Sequence, residues 1–422
     1  MNMHAQQPQL TPAETALVDG FHDRASHLPG DGAVVVKRDD AVELLKSGLP
    51  NRKVEAWHYT DLRRLLSSVP AYDPSAAPSA IAPLVDGSAA LAVLNGVAGE
   101  APEIEGVSIT PMRDALADGK AAKLLGALDR DDMVGLINGA FVSDGYLLEV
   151  ADDAELAAPI ELQNIHDGGQ VHSRFAVSAG AGSKAVFIER QTGDREALVS
   201  SVSHLDVGDG AEIVWIIVQE QAADVSHLGQ MRLSIGKDAK LSVFILNAGG
   251  RLVRQEIRAV AGGSGSEFRL RGVNLLGGST HCDVTMVLDH AAPDTVSTEV
   301  IRNVVTDKAQ GVFQGQIRVA REAQKTDAKM SCNTLLLSDE GEFSAKPELE
   351  IFADDVACGH GATVTEIEAS HLFYLMARGV PEKEARGLLV KAFVAEIIEE
   401  LDDEALVGAL EDKLDAWFVA HG

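Results

Sequence analysis

The 422 residues, 46% hydrophobic and 24% charged, exceed what one small core needs and predict two or three folded units, which excludes a disordered chain. A formal net charge of -28 excludes nucleic acid and anionic membrane as general partners, because nonspecific binding to either needs a basic face. A basic protein or a metal cation stays open.

The opening "MNMHAQQPQLTP" has no basic segment followed by an apolar one, and apolar runs such as "EIVWIIVQE" are too short to span a bilayer. The expected location is the cytoplasm. Cys282, Cys332 and Cys358 are odd in number, widely spaced and free of any C-x-x-C, so neither a disulfide framework nor a self-contained zinc site is expected.

Residues 10–67 read as helical, opening on "TPAE", where Thr11 caps, Pro12 suits the first helical position and Glu14 completes a capping box. A second helix is expected in "DDAVELLKSGLP", opened by its acidic residues and closed by Gly48 and Pro50. The proline- and alanine-rich "SSVPAYDPSAAPSAIAPLVDGS" follows as an extended connection. The boundaries expected are 1–100 for this N-terminal region, 101–362 for a β core and 363–422 for a C-terminal helical domain.

From about residue 140 to 357, short runs of Val, Ile, Phe and Thr alternate with Gly and Asp, which predicts strands. "VSAGAGSKAVFIER" from Val177, "VGDGAEIVWIIVQE" from Val207, "IGKDAKLSVFILNAG" from Ile235 and "VAGGSGSEFRLRGVNL" from Val260 resemble one another, with starts 30, 28 and 25 residues apart. Such a period predicts a parallel β-helix, whose coils bury their inner faces only by stacking. A β-sandwich is the alternative. After residue 364 a helix runs to Gly379 and a second restarts at Pro381 with Leu388, Leu389, Ala392, Phe393 and Ile397 apolar. A third aligns Leu406, Leu410, Leu414 and Phe418. These stripes predict packing on the solenoid, or a partner face.

No P-loop is present, since "GGSGSEF" lacks the lysine, and G-x-G-x-x-G before a helix, H-E-x-x-H and G-x-S-x-G are also missing. A β-helix enzyme acting on polysaccharide would need a cleft with carboxylates and aromatic platforms, and aromatic residues make up only 5% of this chain. In "DDVACGHGAT", Cys358 and His360 stand two residues apart, so on a strand they share a face, with Gly359 and Gly361 leaving room for an approaching group. Two ligands are too few for a closed metal site, and a second chain would have to complete it. The alternative is a small buried thiol and a histidine bonded at a strand end. Cys332 is an isolated thiol on a predicted strand, and Cys282 with its neighbour His281 should face opposite ways.

The stretches "NRKVEAWHYTDLRRL", "INGAFVSDG" and the block "QKTDAKMSCNTLLLSDEGEFSAKPELEIFADDVACGHGATVTEIEASHLFYLMARGVPEKEARGLLVKAFVAEI" resemble the SufB/SufD family of iron–sulfur cluster assembly proteins, and the "CGHGAT" form resembles its SufD branch. The resemblance implies helices flanking a right-handed parallel β-helix and a non-catalytic scaffold subunit. It also implies pairing with a SufB-like paralogue through the β-helix, or with a second copy, and docking of a SufC-like ATPase on the C-terminal helices. His360 matches the branch's histidine implicated in cluster assembly, and Cys358 the thiol beside it. No tightly bound cofactor is implied, only transient iron or a nascent cluster at the SufB interface. Cys332 lies where SufB carries its important cysteine and SufD chains often carry asparagine, so it is either a sulfur-handling thiol or a substitution without consequence. A SufB-like, cluster-bearing scaffold is the alternative within the family.

Overall fold

The computed structural model describes residues 9–421, so the reading of the first residues falls partly outside those described, on residues 1–8. The runs of β-branched and aromatic residues form strands β1 (Ala89–Leu94), β2 (Val97–Ala98), β3 (Val107–Pro111), β4 (Asp144–Val150), β5 (Ile160–His166), β6 (Gly169–Ala179), β7 (Lys184–Gly193), β8 (Ala197–Val207), β9 (Glu212–Gln221) and β10 (Ser226–Ile235). They continue as β11 (Lys240–Asn247), β12 (Leu252–Ala261), β13 (Glu267–Leu276), β14 (His281–His290), β15 (Val296–Val305), β16 (Gln310–Val319), β17 (Asp327–Leu336), β18 (Glu342–Ile351) and β19 (Ala357–Thr365). Corners between them need positive φ, which Gly210 (67°) and Gly265 (74°) supply freely and Asp238 (53°) and Asp294 (58°) tolerate.

From β4 onward, consecutive strands pass alternately to two sheets, and from β6 to β17 each pairs in parallel with the strands two before and two after it. This is the stacked solenoid expected from the repeats, not a sandwich. The loose period is real: Ser226 lies opposite Leu252, 26 residues on, and Gln310 opposite Glu342, 32 residues on. Strand pairing runs from Ala89 to Thr365, past both edges of the span expected for the core.

The inner faces carry a continuous apolar core that includes Phe187 and Trp215, stacked at 5.1 Å, with Met231, Phe268 and Phe313. An amide ladder runs through it. Asn247 donates to Asn274 (2.7 Å), Asn274 to Asn303 (2.7 Å), and Asn303 to Thr334 (3.0 Å), one residue from each successive coil.

Helices α1 (Pro12–Arg24), α2 (Gly32–Leu45), α3 (Leu62–Leu65), α4 (Met112–Ala117) and α5 (Met133–Phe141) lie on the N-terminal side. The Thr11–Glu14 capping box forms, and Glu14 also accepts from Leu49 N at 2.7 Å. The second helix starts earlier than "DDAVELL" suggested, at Gly32, because Asp31 caps it by accepting from Val34 N. Leu17, Phe21, Val134 and Ile137 pack on Leu198, Val202 and Leu228, the outer face of the second sheet. The "EAWHYT" stretch locks this layer down. Trp57 is fully buried beneath Arg254 (4.0 Å from guanidinium carbon to ring centroid), and Arg254 pairs with Glu256 (2.8 Å) and Asp283 (2.5 Å).

Helices α6 (Ala369–Ala377), α7 (Glu382–Ile398) and α8 (Glu404–His421) follow the last strand. α7 and α8 cover the outer face of the first sheet, over Ile216, Phe244, Val273 and Val304. The buried stripe of α7 is Val390, Val394, Ile397 and Ile398, whereas Leu388 of the expected stripe is 48% exposed. The helix is rotated because Arg302, salt-bridged to Glu396 at 2.8 Å and lying under Phe393, holds that flank at the sheet surface. On α8 the stripe ends at Trp417, with Phe418 only half-buried.

The two ends of the stack differ. β2 pairs with β1 and β3 with β4 in antiparallel fashion, closing the N-terminal end, while β18 and β19 are the terminal strands of their sheets at the other end.

Candidate functional site

On β19, Cys358 lies opposite Ala328 and His360 opposite Met330, and both β17 residues belong to the interior core. The pair therefore shares the inner face, as two-residue alternation requires. Among the described residues no further coil covers that face, so Cys358 is half-buried and His360 exposed. The facing strand β18 sets Phe343, Ala345, Pro347, Leu349 and Ile351 above the buried side chains of β16. Ile351 (40%) and Val364 (43%) reach solvent there.

Cys332 sits one strand deeper, opposite Ala362, and is buried. Burial pushes its thiol up to about 12, against the opposing effect of hydrogen bonds with Asn303 and Thr334. Asn303 Nδ2 donates to its Sγ at 3.3 Å. Cys282 is fully inside, its thiol raised by burial, while His281 faces out to Thr60 (2.9 Å), so these neighbours do point opposite ways. The Cys358 thiol is also raised, first by burial, with Asp327 and Glu299 adding to it and the Ala328 backbone opposing. None of the three thiols carries the activation of a reactive cysteine, and a bound cation would have to supply it.

Among the described residues, no cluster of three or more His, Cys, Asp or Glu side chains is arranged to hold a metal ion. Cys358 and His360 amount to half a site. The geometry brings these two together, leaves Cys332 below them on the same inner face, and separates Cys282. Two features went unread in the sequence. One is the apolar mouth made by β18 and Val364. The other is α6, which has no buried residue and exposes Phe373 (73%), Tyr374 (58%) and Met376 (42%). The run "HLFYLM" was the available signal for the second, since such a run on a covered helix would be buried.

A groove of about 460 Å³ on the outer face of the first sheet bears on the polysaccharide alternative. Of its carboxylates, Glu155, Glu212 and Glu267 are paired with Lys184, Lys240 and Arg269 at 3.8 Å while Asp402 also lines it, and among the described residues no aromatic side chain does. Among the described residues, no helix is long and apolar enough to cross a membrane.

The family described as SUF system FeS cluster assembly, SufBD core domain, matches residues 162–393, from β5 into α7. The chain belongs to the SufBD family. Within it, the chain is 29% identical to the iron–sulfur cluster assembly protein SufD of Escherichia coli over 384 residues, covering 86% of this chain and 88% of that protein. It is 26% identical to the SufBD family protein slr0076 of Synechocystis, covering 94% and 92% of the two chains. Protein ABCI7 of Arabidopsis thaliana chloroplasts is 24% identical, covering 96% and 91%. The matched SufBD core contains Cys332, Cys358 and His360 together with the mouth around them.

Proposed function

We propose that this chain is a SufD-type scaffold subunit in iron–sulfur cluster assembly, working in a complex with a SufB-like paralogue and a SufC-like ATPase. The observation that carries the reading is the placement of Cys358 and His360 on the inner face of the last coil, which no other described residues cover. A thiolate and an imidazole suit iron or a nascent cluster, and a partner chain seated on the mouth would contribute the remaining ligands. The cluster is cargo in this scheme, assembled and passed on, and ATP hydrolysis belongs to the partner.

The apolar mouth favours a partner that is itself solenoidal, because two open ends can bury each other's inner strands. The exposed face of α6 is the proposed seat of the ATPase. Its aromatic and Met side chains have the composition of an interface centre. Native mass spectrometry of the gently purified complex tests the partners, and a chain that runs alone would count against the scheme. His360→Ala should lower iron or cluster loading while the complex and its melting temperature stay as they were. Undiminished loading in that variant would remove His360 from the site.

A further inference from the structure

Buried carboxyl groups elsewhere in the molecule are met by donors. Glu189 accepts from Ser203, Gln191 and Trp215, and Asp132 from Gly135 N, Leu128 N and Arg232. Glu299 is different. It stands on the inner face of β15 with 0% exposure, and neither carboxyl oxygen has a hydrogen-bond partner among the described residues. Ser297, beside it, is engaged with His290 Nε2 at 3.2 Å.

Register places this carboxyl directly under the half-site. One file across the first sheet reads Leu270, Glu299, Met330, His360, and the next reads Phe268, Ser297, Ala328, Cys358. β17 lies between Glu299 and both proposed ligands, and at the Cys358 file it interposes only the methyl group of Ala328. An unpaired acid buried in a core opposes folding, and such groups cluster where function retains them.

We infer that Glu299 is the internal counter-charge of the Cys358/His360 half-site: a carboxylate that draws a divalent metal cation to the open end of the solenoid without ligating it. The inference rests on the metal reading of Cys358 and His360 given above. As the cation arrives, the Glu299 carboxylic acid releases its proton to solvent and the carboxylate remains to balance the added charge. Burial holds this carboxyl at about 8; the nearby Ser297 hydroxyl, too poorly placed for a hydrogen bond, and the charge of Arg271 oppose the rise only weakly. The titratable groups on its side of the sheet are His290 at the end of β14, Cys332 on β17 and Cys358 on β19; Arg271 of β13 acts on it through the sheet from the outer face, where it pairs with Glu400, and Phe313 and Gly315 of β16 bring only apolar surface against Met330. Strands two apart in a sheet are separated by roughly 10 Å. Because Cys358 gives up its thiol proton on binding, the divalent cation adds one net positive charge, and at that distance a pair of unit charges in a medium of effective dielectric near 20 changes affinity about tenfold.

Cobalt(II), followed by the visible absorption of its thiolate complex, is the probe, titrated into the purified chain and into its natively purified complex. Wild type, Glu299→Gln and His360→Ala are compared at about pH 6.5 and about pH 9, on either side of the Glu299 titration. At the lower pH the neutral acid and the amide are alike, so wild type and Glu299→Gln bind equally. At the higher pH wild type binds about tenfold more tightly. The other groups titrate in both proteins and cancel in the ratio, and a merely structural effect of the substitution would shift both pH values alike. A ratio that does not change with pH overturns the role of Glu299 and leaves the half-site standing. Absence of cobalt binding to wild type in either form, or binding undiminished in His360→Ala, overturns the half-site itself, and this inference with it.

Discussion

At its N-terminal end the solenoid turns β2 and β3 antiparallel and pins the turn after β1 with the Tyr146 hydroxyl, 2.9 Å from Ala92 O and 3.1 Å from Gly99 O. At its C-terminal end β18 and β19 stop with an apolar inner face in solvent. Stacked coils need a polar or folded cap wherever the stack ends, since each coil buries its inner face only against the next. A solenoid that builds one cap and omits the other is shaped for something to complete it. The difference separates residues that hold the fold from residues that serve an encounter.

The largest test of this division lies far from the open end. Arg254→Ala would leave Asp283 and Glu256 buried without their partner and should cost about 3–5 kcal/mol in urea unfolding. Tyr146→Phe, at the closed end, should cost about 1 kcal/mol by the same measurement. A change near zero would mean that the cap does not depend on this hydroxyl.

Glu299→Gln tests how far solvent reaches below the open end. The folded value of about 8 lies above the ordinary 4.5, so the native state loses stability as pH rises from the lower value through the higher one. The melting temperature of Glu299→Gln relative to wild type should therefore climb between about pH 5 and about pH 8. A flat difference would show that Glu299 is solvated and that the mouth opens deeper than its last coil. The smallest expected effect on stability belongs to Val364→Lys, within about 0.5 kcal/mol of wild type. That substitution should nevertheless abolish pairing through the solenoid end in native mass spectrometry, and intact pairing would place the contact elsewhere.

The solenoid was legible because its corners are chemical: only a few residue types accept positive φ, and they recur once per coil at 210, 238, 265 and 294. The common face of Cys358 and His360 was legible for an equally local reason, the alternation of a strand. What could not be read locally was which coil would be last, because that depends on whether anything stacks on β19. For the same reason a glutamate in "VSTEVIRN" gave no sign that it would point inward beneath a histidine 61 residues later. The rotation of α7 escaped too, since Leu388 and Leu389 are as apolar as the residues that are buried, and the sheet beneath the helix selects between them.

The amide ladder of Asn247, Asn274 and Asn303 has a consequence for assembly of the chain itself. Each carboxamide finds its partner only when neighbouring coils stack in one alignment, and a slip by a single residue would turn the whole file outward and leave its mates unanswered in an oily interior. Because the coils differ in length, nothing in their spacing alone prevents such a slip. The asparagines thus work as a ruler that runs up the middle of the molecule and checks each new layer against the one beneath it.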